Sequence, residues 1–248
     1  MIEARNLSKY FEDKKRGRIT AAENVSFSAK SGEIFGLLGL NGAGKTTTLR
    51  MIAAILKPSS GSALVWGADV VREPEKAKAN LGFLTGSTGL YGRLTAREMI
   101  EYFGRLYGMP AGKLRSRTDE LLRLFNMTEF ADIRCDKLSA GTKQKVSIAR
   151  TIIHDPRAIV LDEPTIGLDV ITSRAVVDFI RTEKSRGKAI IFSTHVMHEA
   201  EKLCDKIAII HHGRIIAIGT PDELKSAAGY ADLDDAFVAL TEGDGNAA

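Results

Sequence analysis

The sequence predicts an α/β protein with a mainly parallel sheet covered by helices, an antiparallel β part at the N-terminus and an inserted helical subdomain. Apolar runs of strand length recur at 34–38, 158–161, 189–192 and 207–210. Such runs are typical of parallel strands buried on both faces. Between the strand patterns at 63–66 and 81–84 and the run at 158–161, the sequence pattern becomes helical.

The N-terminal part is predicted to be β-rich. Ile2 to Ala4 and Val25 to Ala29 are extended segments, and Ile34 to Leu38 is an apolar strand. After one helix, strand patterns return at 63–66 and 81–84. The chain therefore begins with strands that do not alternate with helices.

A helical subdomain is predicted over about residues 87–154. Thr95 and Glu98 form a capping box that opens one helix, and Gly108-Met109-Pro110 ends it. A second helix carries an apolar stripe between Leu114 and Phe125. This insert interrupts the strand-rich chain, so we expect it to fold as a subdomain of the core.

The C-terminal part combines a hairpin and a helix. His212-Gly213 is a turn signal between two apolar runs, and Thr220 followed by Pro221 opens a helix. The segment from Ala231 onwards carries five acidic residues without Lys or Arg. We therefore expect residues 226–248 to form a short acidic tail.

Composition indicates a chain without a membrane span and with anionic ligands. The 248 residues carry a net charge of +4, and no apolar stretch is long enough to cross a bilayer. Cys135 and Cys204 are isolated, which predicts a reducing cytoplasm rather than disulfides. Basic residues are scattered apart from a cluster at 14–18, which we expect at the tip of a solvated hairpin, so we expect no nucleic-acid partner.

A glycine-rich loop after the strand at 34–38 predicts a nucleotide site. It reads Gly39-Leu40-Asn41-Gly42-Ala43-Gly44-Lys45-Thr46, and Leu49, Ile52 and Leu56 follow at helical spacing. Glycines let backbone N–H groups surround a polyphosphate at a helix N-terminus. Lys45 can reach the terminal phosphates, and Thr46 can ligate magnesium. A simple turn with a surface lysine is the alternative.

Polar residues follow two other predicted strands. Asp162 and Glu163 end one of them, where sheets of this kind hold ligands. Asp162 can hold magnesium directly or through water, and Glu163 can polarise an attacking water. His195 follows the next strand and could bond the terminal phosphate or that water. The alternatives are a helix-capping acid pair and a capping or core histidine.

A second helix start lies at Leu138 to Thr142, and it could hold an anion. Ser139 as an ordinary N-cap explains the local sequence equally well. In combination with the other segments, however, this one resembles the ATP-binding subunit of ABC transporters over nearly the whole chain. The resemblance implies that 39–46 is the Walker A loop and that 138–142 is the family signature.

Further residues are assigned by the same resemblance. Asp162 and Glu163 match the end of the Walker B strand, Asp169 the D-loop, and His195 the switch histidine. Phe11 matches the aromatic residue that stacks on adenine, with Tyr10 as the alternate. The implied ligands are ATP and Mg²⁺, with Thr46 and Asp162 on the metal and Glu163, His195 and Lys45 as catalytic residues. The residues implied to bind ATP are Phe11, Gly39, Asn41, Gly42, Ala43, Gly44, Lys45, Thr46, Thr47, Ser139, Gly141 and Asp169.

The resemblance also implies an assembly. Residues 1–225 would form the ATPase domain, and two copies would pair head to tail, so that the signature of one covers the ATP of the other. The helical subdomain would dock on a separate membrane permease, which places the protein at the cytoplasmic face of the membrane. A soluble regulator acting on nucleic acid or ribosomes is the alternative.

Departures from the family pattern concern the signature and the metal site. Ala140 and Thr142 stand where the family usually has Gly and Gln. Gly86 stands where a glutamine commonly contacts magnesium, which leaves a nucleotide-binding module with poor hydrolysis as a further alternative. The segments at 81–95 and 138–145 are similar to exporter ATPases of the sodium-efflux and drug-export types.

Overall fold

The computed structural model describes residues 1–15, 17–86 and 89–245. Its strands, in chain order, are β1 (Ile2–Asp13), β2 (Gly17–Ala29), β3 (Ile34–Leu38), β4 (Ser60–Val65), β5 (Ala68–Asp69), β6 (Leu81–Thr85), β7 (Ala158–Asp162), β8 (Ala189–Thr194), β9 (Lys206–His211) and β10 (Arg214–Gly219). Its helices are α1 (Lys45–Ile52), α2 (Pro74–Ala79), α3 (Ala96–Leu106), α4 (Ala111–Leu124), α5 (Ala140–Ile152), α6 (Val170–Ser185), α7 (Met197–Leu203), α8 (Pro221–Ala228) and α9 (Leu233–Gly245).

The N-terminal sheet is antiparallel, with strand order β2-β1-β4-β5. Its hairpin β1–β2 is much longer than the short segments predicted from apolar residues. Beyond Lys9 the hairpin carries exposed and polar residues, and cross-strand pairing continues to Asp13 opposite Gly17. Backbone pairing rather than burial holds this end, in agreement with the solvated hairpin tip predicted from the basic cluster at 14–18.

The second sheet has strand order β10-β9-β3-β8-β7-β6. Strands β9, β3, β8, β7 and β6 run parallel, and β10 alone pairs antiparallel with β9. This confirms the mainly parallel sheet. In register, Ser193 of β8 lies opposite Asp162 of β7, and Asp162 lies opposite Thr85 of β6. The carboxyl ends of these strands therefore meet at one edge, where the predicted site residues are located.

Helix α1 connects the phosphate loop to the core, and Leu49, Met51 and Ile52 are buried. The helix ends at Ile52, four residues before the expected end at Leu56. Ala54 has φ 54°, outside the helical region, which breaks the helical turn there. Lys57-Pro58, which would be expected to stop a helix, therefore lies in the connection between α1 and β4 and does not end α1.

The helical insert forms as predicted. Thr95 caps α3 in a capping box with Glu98, and the apolar stripe of α4 is buried together with the inward face of α5. These side chains join one core with apolar residues of β7 and β8. The insert is thus packed directly on the sheet that carries the site.

The C-terminal segment contains a helix that composition did not reveal. Within residues 226–248, which were predicted as an acidic tail, α9 buries Leu233, Ala236 and Phe237. Asp234 and Asp235 lie in its first turn, where carboxylates are favourable to the helix dipole. Within the described residues, no helix has the length and apolarity that crossing a bilayer requires.

Candidate ATP-binding and hydrolysis site

Two glycines of the phosphate loop are required by geometry. Gly44 has φ 106°, and a Cβ added there would lie 2.5 Å from the carbonyl oxygen of Ala21. A Cβ on Gly39 would lie 2.4 Å from the carbonyl oxygen of Ile210. Neither position can hold a side chain without a shift of the backbone, so the loop packs closely between the two sheets.

The Lys45 ammonium lies across the loop. It is 5% exposed and donates to the carbonyl oxygens of Gly39 at 2.7 Å and Leu40 at 3.2 Å. Its Nζ also lies 3.2 Å from Oε1 of Glu163. The ammonium is therefore held at the mouth of the loop, between backbone oxygens and the acidic end of β7.

Hydroxyl groups hold both oxygens of the Asp162 carboxylate. Thr46 Oγ1 donates to Oδ2 at 2.8 Å, and Ser193 Oγ donates to Oδ1 at 2.6 Å. Asp162 is 4% exposed. A buried carboxylate beside a hydroxyl is an oxygen-rich arrangement of the kind that binds Mg²⁺ or Ca²⁺.

Glu163 adopts a strained backbone conformation. Its φ is 50°, in the left-handed region, which costs a non-glycine residue about 1–2 kcal/mol. Its N–H points at Ser193, with the carbonyl oxygen at 3.1 Å and Oγ at 3.2 Å. Strain of this kind persists where surrounding contacts fix the residue, and it is frequent at functional sites.

The Glu163 carboxylate lies between two cationic or polar partners. Its Oε1 is 3.1 Å from Nδ1 of His195 and 3.2 Å from Nζ of Lys45. Burial works to raise the pKa of Glu163, but hydrogen bonds and charges from His195 and Lys45 together hold that pKa below its ordinary value. The carboxylate is consequently ionised at neutral pH and can accept a hydrogen bond from water.

A cavity of about 400 Å³ opens between these groups and the N-terminal hairpin. The predicted site residues that line it are Asn41, Gly42, Gly44, Lys45, Thr46, Thr47, Asp162 and Glu163. Sequence reasoning missed Ile19, Thr20, Ala21, Arg50 and Thr85, which also line it. The hairpin residues carry no motif, and only their pairing with β1 brings them to the loop.

The aromatic residues of the hairpin differ in their surroundings. Phe11 is 42% exposed and pairs across the hairpin with Ile19, which lines the cavity. The Tyr10 ring is covered by the Arg18 guanidinium at 3.5 Å. The Phe11 ring has the Lys9 ammonium 5.3 Å from its centre, so it is less closely covered than the Tyr10 ring, and it is not part of the cavity lining.

The signature and D-loop residues lie elsewhere. Ser139 caps α5 by accepting from the Thr142 N–H at 3.2 Å, and Asp169 caps α6 through Thr172 at 2.9 Å. A Cβ added to Gly141 would lie 2.8 Å from Thr172 Oγ1, so these two helix starts pack together. Among the described residues that line the cavity, none belongs to this group. Within one chain, the structure does not bring them to the phosphate loop.

Gly86 lines the cavity, but it offers only backbone. Of the part of the chain that the structure describes, no atom outside the adjoining residues lies within 4 Å of a Cβ added there. The position could accommodate a larger residue, and in this chain no side chain reaches the metal side of the site from it.

A phosphate loop, a hydroxyl-held carboxylate and a glutamate paired with lysine and histidine define this chain as a P-loop nucleotide hydrolase. The profile of the ABC transporter family matches residues 22–166. The chain therefore belongs to the ABC transporter family, as an ATP-binding protein and ATPase.

Individual relatives extend the match to most of the chain. It is 43% identical to the ABC transporter ATP-binding protein NatA of Bacillus subtilis (strain 168), over 96% of this chain and 97% of that protein. It is 38% identical to the Nod factor export ATP-binding protein I of Paraburkholderia xenovorans (strain LB400), over 90% and 74%. A dimeric post-hydrolysis ATP-binding cassette bound to ADP and Pi superposes with a TM-score of 0.81 at 26% identity, over 89% of this chain and 98% of that chain.

Proposed function

We propose that this ATPase binds Mg²⁺-ATP at its phosphate loop, dimerises head to tail on it and powers export through a separate membrane permease. The observation that carries the proposal is the pair of contacts that Glu163 makes with Lys45, at 3.2 Å, and with His195, at 3.1 Å, beside the Thr46–Asp162 pair at the cavity. Lys45, Glu163 and the Thr46–Asp162 pair would supply the phosphate-binding charge, the base and the metal ligands of a triphosphate site, and they stand at one sheet edge.

The donor set fits a magnesium ion. The Thr46 hydroxyl donates a hydrogen bond to Asp162, so the lone pairs of its oxygen stay available for a metal. Thr46 and Asp162 would hold the ion, which supplies charge neutralisation on the phosphate oxygens when bound. The cavity is wide enough for water and phosphate oxygens to fill the other coordination positions of the ion, as Mg²⁺ prefers.

The side chains of this chain would divide the work of hydrolysis. Lys45 would exchange its bonds to Gly39 and Leu40 for bonds to the phosphates. Glu163, ionised by its partners, would orient and polarise the attacking water. His195, which contacts Oε1 of Glu163 through Nδ1, would bond the water or the terminal phosphate.

A second copy would complete the site. Ser139, Gly141 and Asp169 are not among the residues that line the cavity of their own chain, so we expect them to reach a bound phosphate from a partner. Next to Asp169, Val170 and Ile171 are 84% and 83% exposed, which is costly for apolar side chains in water. A structural neighbour is described as a dimer, which supports the pairing of two copies.

An export role is supported by one relative that is named for Nod factor export. Sodium ions or drugs are the cargo classes implied by the similarity at 81–95 and 138–145. We place the ATPase at the cytoplasmic face of the membrane, held by its permease. Co-purification with a multi-span membrane protein, and not with nucleic acid, supports this; recovery with ribosomes or RNA instead would overturn it.

The ATPase rate of the purified protein tests the enzymatic half of the proposal. With shared sites, the rate rises faster than linearly with protein concentration below the dimer dissociation constant. A strictly linear rate contradicts shared sites. Tight ATP binding with negligible turnover at all concentrations would instead favour a poorly hydrolysing module, as the missing side chain at Gly86 suggests.

A further inference from the structure

Ser193 is a fully buried serine at the carboxyl end of β8, and its hydroxyl makes two contacts with the acidic end of β7. It donates to Oδ1 of Asp162 at 2.6 Å and accepts from the N–H of Glu163 at 3.2 Å. One hydroxyl thus bonds both acids of the site. Parallel pairing between β7 and β8 sets Ser193 opposite Asp162, so the contact is built into the sheet register.

The first bond controls the direction of the Asp162 carboxylate. With Oδ1 held by Ser193, Oδ2 faces Thr46 at 2.8 Å. A carboxylate with one oxygen tied cannot rotate without losing a charge-assisted hydrogen bond, which is among the stronger kinds. The oxygen on the side of the cavity is therefore presented in one orientation.

The second bond acts on the strained residue. Glu163 has φ 50°, and its N–H is shared between the carbonyl oxygen and the hydroxyl of Ser193. That conformation directs the carboxylate to Lys45 and His195 instead of continuing the strand. A donor that is buried and shared in this way keeps an otherwise unfavourable backbone in place.

We propose that Ser193 is a positioning residue for hydrolysis, which sets the Asp162 oxygen on the metal side and the Glu163 carboxylate on the water side together. This inference rests on the proposed function. Sequence reasoning missed Ser193, although a hydroxyl at a strand end beside an acidic strand end was a usable signal.

The test compares Ser193→Ala with Ser193→Thr, which keeps a hydroxyl. The control is Ser8→Ala, since Ser8 is also fully buried in a strand and its hydroxyl also accepts a backbone N–H, from Asn24 at 3.0 Å. Each variant is measured for kcat and KM, and for equilibrium binding of a fluorescent ATP analogue with Mg²⁺ and with EDTA. Melting temperatures establish that each variant is folded.

Loss of an outer positioning contact typically costs about 10–100-fold in metal affinity or activity. We expect Ser193→Ala to lower kcat by about tenfold or more. We also expect it to lower the affinity for the analogue in the presence of Mg²⁺ by about tenfold, which removes most of the gain that Mg²⁺ provides. Affinity in EDTA stays within about threefold of wild type, because the phosphate loop is untouched. Ser193→Thr recovers at least part of both effects, and Ser8→Ala shows neither.

Wild-type kcat and Mg²⁺ dependence in Ser193→Ala would overturn the inference. So would equal losses with Mg²⁺ and with EDTA, which would indicate general damage. If the alanine variant does not fold, Ser193→Cys gives the same comparison, because it nearly keeps the volume but is a weak donor. A wild-type protein without ATPase activity would instead contradict the proposed function, so the two failures are distinguishable.

Discussion

Ile171 offers a quantitative test of dimerisation, because its side chain is 83% exposed beside Asp169. We consider Ile171→Ser. Burying an isoleucine side chain contributes about 1.5–3 kcal/mol. A twofold dimer makes the contact twice, so the substitution removes about 3–6 kcal/mol of association free energy. At the lower end, the dissociation constant of the ATP-bound dimer rises about 100-fold, since 1.4 kcal/mol corresponds to about tenfold.

The assay is sedimentation velocity of the isolated protein with Mg²⁺ and a non-hydrolysable ATP analogue. Ile55→Ser is the matched control, since Ile55 is 61% exposed on a different part of the surface. Both substitutions replace exposed side chains, so the free energy of unfolding of the monomer changes by less than about 0.5 kcal/mol. Equal dissociation constants for Ile171→Ser and Ile55→Ser would refute the assignment of Ile171 to the dimer interface.

Three further predictions follow from the site and the core. Glu163→Gln lowers kcat by about 100-fold or more, measured by phosphate release, while ATP binding is retained. The control Glu98→Gln keeps its capping box, and its kcat stays near that of the wild type. Full activity of Glu163→Gln would contradict the role of Glu163. Gly44→Ala abolishes ATP binding in calorimetry, because φ 106° and the Ala21 carbonyl oxygen 2.5 Å away both oppose a Cβ. Gly42→Ala loses less ATP affinity, because φ is 84° but no described atom outside the adjoining residues lies within 4 Å of the added Cβ. A larger loss of affinity in Gly42→Ala than in Gly44→Ala would contradict this reasoning. Burial lowers the pKa of His154 from 6.5 to about 4, so folding favours the neutral ring and stability falls as the pH drops from 6.5 toward 4. His154→Phe, which keeps the stack on Tyr107 at 3.6 Å, shows a melting temperature that declines less over pH 6.5 to 5; parallel curves would contradict this origin.

The parts of the fold that sequence predicted are those with local causes. The capping box at Thr95 and the helix starts at Thr220 and after the glycine-rich loop are set by neighbouring residues, and the structure confirms these three helix starts. Asp162 and Glu163 were predicted at a strand end because apolar runs locate buried strands well. His195 was predicted from the same rule, and the structure places it 3.1 Å from Glu163.

The parts that sequence did not predict depend on pairing between distant segments. The basic cluster at 14–18 predicted a hairpin tip, but it gave no sign that the hairpin brings Thr20 and Ala21 to the cavity. The early end of α1 depends on Ala54, a residue with no turn preference, in the left-handed region. Ser193 acquires its contacts only through the register of β7 and β8, which one strand alone does not reveal.

Complementation between two inactive variants tests the shared site most directly. Lys45→Ala removes the phosphate-loop ammonium, and Ser139→Arg blocks the signature. Both sites of each homodimer are therefore defective. Mixed in equal amounts, half of the dimers contain one copy of each and have one intact site, so the account predicts roughly a quarter of the wild-type ATPase rate. A rate on mixing no higher than that of the separate variants would contradict a site built from two chains.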